Sequence, residues 1–179
     1  RPPRSTLFPY PTLFRSLTPR LHADEFVDSG AAELAAEVGA VSADHLMAVS
    51  NEGILKMAEA GVIATLLPGT TLFLGKTKYA QGRKMINSGC HVAIATDFNP
   101  GSCTIQSIPH IISLANLYCG LSIEEAFKGA TWNGAKAIKR EKQLGAIAEG
   151  FQADMLFWEL GSIEEIPYWM GSEIGRAHV

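Results

Sequence analysis

Apolar residues in this chain come in short unbroken runs, and each run ends on polar or charged residues. Residues 40–43 lead into Asp44-His45, residues 62–67 stop at Pro68-Gly69, and residues 91–96 run into Asp97; a shorter run ends at Leu21-His22. Runs without alternation belong to strands covered on both faces. Between them the spacing is helical. Residues 29–39 are alanine-rich, with Ser29 placed to cap and Gly39 to close the helix. A second helix follows Ser50 or Asn51, with Ile54, Leu55, Met57 and Ala58 as its apolar face and an end near Gly61. Further helices are predicted over 79–88, 108–119, 123–129 (capped by Ser122) and 132–139, then a strand over 153–158. Four strand–helix units, each about 20–30 residues apart, predict an α/β protein with a parallel sheet. Periodicity alone leaves a doubly wound sheet and half of a barrel equally open.

Composition narrows the class. The 179 residues are 47% hydrophobic and 18% charged, with 17 Gly, 9 Pro and 3 Cys. That supports a packed core and excludes disordered, collagen-like and disulfide-stapled chains. A formal charge of −3 gives no reason to expect nucleic acid or an anionic membrane as partner. No apolar run approaches the roughly 18–20 residues that cross a bilayer. Cys90, Cys103 and Cys119 show no C-x-x-C spacing. They read as small buried hydrophobes in a reducing, cytoplasmic setting.

The two ends read differently from the middle. Residues 6–16 resemble the translation of a common short-read sequencing adapter, T-L-F-P-Y-T-T-L-F-R-S, with one difference, at Pro11; residues 174–179 resemble the partner adapter. Residues 1–16 and 173–179 are therefore expected to be adapter-derived tails, outside fold reasoning. Without them 156 residues remain, and the loss of four arginines and Glu173 takes the charge from −3 to −6. The expected organisation is a partial β/α barrel over 17–143 and a return segment over 144–172.

Candidate chemistry gathers where strands end. His22, Asp44-His45 and Asp97 all sit at predicted C-terminal strand ends, the rim on which β/α barrels assemble their sites. Imidazole nitrogen and carboxylate oxygen together suit a divalent metal, which lowers the pKa of a bound water and polarises a carbonyl. Taken singly, His22 reads as structural, Asp97 as the start of an Asx turn, and Glu25 as a solvated loop acid.

The segments L-H-A-D-E-F (21–26), S-A-D-H-L (42–46), L-L-P-G (66–69) and A-T-D-F-N-P-G-S (95–102) resemble the imidazolonepropionases, a family of the metal-dependent amidohydrolase superfamily. T-W-N-G-A-K-A (131–137), G-F-Q-A-D (150–154) and I-P-Y (166–168) resemble the segments that close such a barrel and return to its small β domain. The similarity runs over residues 20–171. It implies the C-terminal half of a (β/α)8 TIM-type barrel running into the small β domain. It implies His22 and Asp97 as metal ligands, Asp97 also moving a proton, and zinc or iron as the metal. It implies catalytic roles for Glu25 at the ring nitrogen and for His45 at the carbonyl oxygen. Glu25, Asn99, Gly101 and Ser102 are implied as substrate contacts; without the resemblance the last three read as turn residues. The reaction implied is hydrolysis of 4-imidazolone-5-propanoate, a small molecule, to N-formimidoyl-L-glutamate in histidine degradation, and the resemblance is compatible with a homodimeric parent.

One departure matters. Superfamily members take two metal ligands from an H-x-H after their first strand, and none occurs here, where the histidines are His22, His45, His91, His110 and His178. A barrel also needs about 250 residues. The chain is thus expected to be a C-terminal fragment, inactive alone, weak in metal binding and prone to aggregate through open sheet edges. Another cyclic amidohydrolase or a deaminase of the superfamily, and a non-enzymatic flavodoxin-like module, remain as alternatives.

Overall fold

The computed structural model describes residues 17–172 and the backbone of 175–178. The expected tail over 1–16, and residues 173–174 and 179, lie outside the described residues. Four short strands, β1 (Arg20–Ala23), β2 (Ser42–His45), β3 (Ile63–Leu66) and β4 (Val92–Ile94), form one sheet. Their spatial order is β1-β2-β3-β4 and every pairing is parallel. A doubly wound sheet reverses its order at a switch point. Sequential order without reversal is the order of a barrel wall, and it removes the flavodoxin-like alternative.

The intervening helices are α1 (Ala31–Glu37), α2 (Asn51–Ala60), α3 (Pro68–Phe73) and α4 (Gly82–Asn87). After β4 come α5 (Ile108–Cys119), α6 (Ile123–Ala130) and α7 (Trp132–Ala137). One core joins the helices to a single sheet face. Ala23, Ala43, Ala64, Leu66, Val92 and Ile94 of the strands pack with Ala32, Ala35, Ile54, Met57, Met85, Ile111, Leu114 and Ala126. Complete burial of side chains such as Ile54 and Met57 stabilises the fold by roughly 1.5–3 kcal/mol each. The other face carries Arg20, His22, Ser42, Asp44, Ile63, Thr65 and Ala93; at its lower end Ile63 and Ala93 pack on Ala137 of α7. At the outer edge of β4, the buried Asn133 donates from Nδ2 to the Val92 carbonyl at 2.7 Å.

Local signals act as their chemistry requires in two helices and differently in others. Ser50 caps α2 by accepting from the Gly53 amide, and Ser122 with Glu125 forms a reciprocal capping box on α6. Ser29 does not cap α1. Gly30 occupies that position, and the job passes to Asp24, whose carboxylate reaches the helix start from β1. Leu55 is exposed, so the buried stripe of α2 is narrower than expected, resting on Gly53, Ile54 and Met57. Pro68-Gly69 ends β3 but also starts α3, because proline is suited to the first helical turn. Beyond α7 the chain forms β5 (Met155–Trp158), α8 (Glu165–Tyr168) and β6 (Gly175–His178), with β5 and β6 antiparallel. No helix among the described residues is long and apolar enough to cross a membrane.

Candidate active site at the strand ends

Among the described residues, four of the five non-glycine residues with positive φ lie at the last residue of a strand or within three residues beyond it: Asp24 (48°), His45 (82°), Leu46 (65°) and Asp97 (52°). Such backbone is costly for side chains with a Cβ and concentrates where function over-determines geometry. At His45 the consequence is direct. Strict alternation would send its side chain to the helix side with Ala43. The left-handed turn instead brings its ring to His22 on β1, with His22 Nδ1 and His45 Nε2 2.8 Å apart and the ring centroids 5.0 Å apart.

The two imidazoles differ in setting. His22 is exposed at the rim, whereas His45 is 3% exposed. His45 Nδ1 lies 3.8 Å from a carboxylate oxygen of Glu25 and has no hydrogen-bond partner. Burial lowers the pKa of His45, against the opposing pull of Glu25 and Asp97, while His22 adds to the lowering and Asp44 to the pull. A neutral His45 follows near pH 7, with one proton to share between its nitrogens. If His22 Nδ1 donates to His45 Nε2, His45 carries its own proton on Nδ1, facing Glu25, and His22 Nε2 is left as a free lone pair. At 3.8 Å Glu25 is too far to accept a hydrogen bond, so the short His22–His45 contact alone holds the two rings to each other.

Asp97 enters from the other side of the sheet, after β4. Thr70 of α3, fully buried, donates to its Oδ2 at 2.6 Å, and Asn99 Nδ2 donates to its backbone carbonyl at 2.7 Å. The loop that follows is a closed polar turn. Asn99 Oδ1 accepts from the amides of Gly101 at 2.8 Å and Ser102 at 2.7 Å, and Asn99 Nδ2 also donates to Ser102 Oγ at 2.9 Å. Thus His22, Glu25, His45 and Asp97 converge at one rim. Asn99, Gly101 and Ser102 lie beside them, with the Asn99 side chain occupied in holding the turn.

Sequence reasoning missed Thr70 altogether, placed Asp44 at the rim without a role of its own, and read Asp24 only as part of a motif. Thr70 has no periodic signal. Asp44, in register with His22 on the same sheet face, lies 3.9 Å from the Arg20 guanidinium and keeps one buried oxygen without a partner. Asp24 looks like part of an acidic cluster with Asp28 and Glu33. Its oxygens, however, are taken by the Ser29 amide and hydroxyl and by the amides of Ala31 and Ala32. Asp24 therefore serves α1 rather than a ligand.

Residues 72–175, more than half of the chain, match the sequence model described as the amidohydrolase family. The chain belongs to the amidohydrolase family. An imidazolonepropionase from Bacteroides thetaiotaomicron is 53% identical over 152 residues, which cover 85% of this amidohydrolase chain but 36% of the relative. The chain thus spans about a third of the length of the curated relatives it matches. Among solved structures, an adenosine deaminase from Xanthomonas campestris with bound zinc superposes with a TM-score of 0.73 at 20% identity, covering 89% of this chain and 42% of that one. A mutant of atrazine chlorohydrolase from Arthrobacter aurescens, complexed with zinc and atraton, gives 0.62 at 26% identity, covering 69% of this chain and 29% of that one. The amidohydrolase chain is accordingly part of a β/α barrel, with its four strands as consecutive staves.

Proposed function

We propose that this chain supplies the later part of the active site of an imidazolonepropionase, which hydrolyses 4-imidazolone-5-propanoate to N-formimidoyl-L-glutamate in the cytoplasm. The observation that carries the reading is the convergence of His22, His45, Glu25 and Asp97 at the strand ends of a chain 53% identical to such an enzyme. The donor set fits a metal. Among the described residues, His22 Nε2 and Asp97 Oδ1 have no hydrogen-bond partner, and they combine a borderline nitrogen with a hard oxygen. His22 and Asp97 would hold the ion, zinc or iron, and the zinc in two structural neighbours supports a metal of this kind. When bound, such an ion polarises the ring carbonyl and lowers the pKa of water.

The side chains supply the rest. Asp97 accepts the proton of the attacking water and returns it to the ring nitrogen as the cyclic amide C–N bond opens. His45, kept neutral by burial, offers an N–H to the oxygen that gains charge. Glu25, a quarter exposed, reaches toward the ring nitrogen from the mouth of the site. In the Asn99–Ser102 turn the amides are spent on Asn99 Oδ1 and the Cys103 carbonyl, so the Ser102 hydroxyl, held only at 3.2 Å from Asn99 Oδ1, is the donor the turn offers the propionate.

The test is turnover. An intact enzyme carrying this chain is expected to consume 4-imidazolone-5-propanoate, and Asp97→Asn to lower kcat/KM by about 10²–10⁴-fold. Activity on a pyrimidine or another cyclic amide instead would refute the substrate. The 179-residue chain alone, without an H-x-H, is expected to show no turnover.

A further inference from the structure

We propose that Thr70 is a positioning residue for Asp97, holding its side chain in one rotamer with one carboxylate oxygen kept by the protein and the other open to the site. The inference rests on the reading of Asp97 as a site carboxylate, and four observations carry it. Thr70 is fully buried, and its hydroxyl donates to Asp97 Oδ2 at 2.6 Å, the short distance of a charge-assisted bond. Asp97 Oδ1 has no hydrogen-bond partner among the described residues, so the carboxylate is held by one oxygen and open at the other. The backbone of Asp97 is left-handed, with its carbonyl clamped by Asn99 Nδ2 at 2.7 Å. A carboxylate on such backbone needs a second anchor to stay in one rotamer, and Thr70 is that anchor. The anchor is itself rigid. Pro68 sets the first turn of α3, and Gly69 lets that turn lie so close to α5 and the 99–103 loop that a Cβ there would stand 2.9 Å from Ile111 Cδ1 and 3.1 Å from Cys103 Sγ.

The Thr70 hydroxyl therefore divides labour between the two oxygens: Oδ2 is retained by the protein, and Oδ1 is presented to metal and water. Support of this kind around a ligand carboxylate is worth about 10–100-fold in affinity or activity.

The test compares Thr70→Val, which keeps shape and removes the donor, with Thr70→Ser, which keeps the donor. Three-bond NMR couplings to the Asp97 Cγ report its χ1. The unsubstituted chain and Thr70→Ser are expected to show one rotamer, and Thr70→Val an average. A single rotamer in Thr70→Val would overturn the inference. In the unsubstituted chain the Thr70 hydroxyl proton is expected to exchange slowly with water. Fast exchange would overturn the inference even if Thr70→Val failed to fold. In the intact enzyme Thr70→Val is expected to lower kcat about 10–100-fold with KM nearly unchanged, and Thr70→Ser to restore it; an unchanged kcat would overturn the functional half. The couplings need no substrate, so they stand even if imidazolonepropanoate is not the substrate.

Discussion

Removal of the Asp24 carboxylate is expected to unfasten α1 from the sheet. Asp24 is 3% exposed, at the end of β1, and one oxygen accepts from the Ser29 amide at 2.8 Å, the Ser29 hydroxyl at 2.9 Å and the Ala31 amide at 3.2 Å; the other accepts from Ala32 at 3.1 Å. The Ala31 and Ala32 amides are donors a helix start leaves unpaired, and a negative charge there also complements the helix dipole. In Asp24→Ala, water can reach Ser29, which is exposed, but not Ala32, which is fully buried. A stranded buried donor costs about 1–3 kcal/mol. Alanine at φ 48° adds roughly 1 kcal/mol of backbone strain. The sum, about 2–4 kcal/mol, is a large share of the 5–15 kcal/mol typical of a domain. Asp24→Asn keeps one acceptor oxygen and tolerates the left-handed backbone, so about half that loss is expected.

Acid adds a second signature. Burial of Asp24 opposes ionisation, but the hydrogen bonds from Ser29, Ala32 and Ala31 outweigh it and hold the carboxyl below its ordinary 3.8. In the window between the folded pKa and 3.8 the unfolded chain binds a proton that the folded chain does not. Stability therefore rises with pH through that window, is fully present above it, and is lost as pH falls through the folded pKa. Urea melts followed by circular dichroism at neutral pH and across the carboxylate range measure both effects. The stability gap between the unsubstituted chain and Asp24→Asn is expected to close on acidification. A neutral-pH change below about 0.5 kcal/mol for Asp24→Ala, or a gap that does not close with acid, would refute the reasoning.

Other outcomes follow from single contacts. Ser122→Ala removes the α6 capping box and is expected to cost about 1 kcal/mol in the same melts, more than Arg83→Ala, whose exposed pairing with Glu125 is screened by solvent. Gly82→Ala would place a Cβ 2.4 Å from Leu121 Cδ1 and 2.8 Å from the Cys119 carbonyl, so a loss of at least about 1–3 kcal/mol is expected. Gly134→Ala, in α7 with its nearest contact at 3.4 Å, is expected to leave the melting midpoint level or raise it slightly. Burial pushes the Cys90 thiol up to about 11 and the Cys119 thiol to about 12, and Cys103 is fully buried. All three should react with a disulfide reagent only on unfolding; reaction in the folded chain would contradict the packing.

How much was legible depended on how far each feature reaches along the chain. The α5 boundaries, 108–119, the cap Ser122 and, as one of two candidates with Asn51, the cap Ser50 were readable because helix period and capping act over three or four residues. The cap of α1 was misread because its acceptor, Asp24, stands eight residues from the Ala32 amide. Thr70 was invisible because its partner lies 27 residues on, brought near only when β3 and β4 pair.

His22, His45 and Asp97 were readable as candidates since polar residues that end apolar strands share one rim in any parallel sheet of sequential order. What no pattern disclosed is how they point. His45 would face the helices if β2 kept its alternation, and only the left-handed turn at His45 and Leu46 turns it toward His22. The same holds at Asp97, where the turn and the Thr70 and Asn99 anchors set the carboxylate. Residue type places chemistry at the rim, and strained backbone aims it. Leu46 is itself fully buried, so Leu46→Gly would relax the turn only by emptying a core site, and a loss of about 2–5 kcal/mol is expected in the same melts.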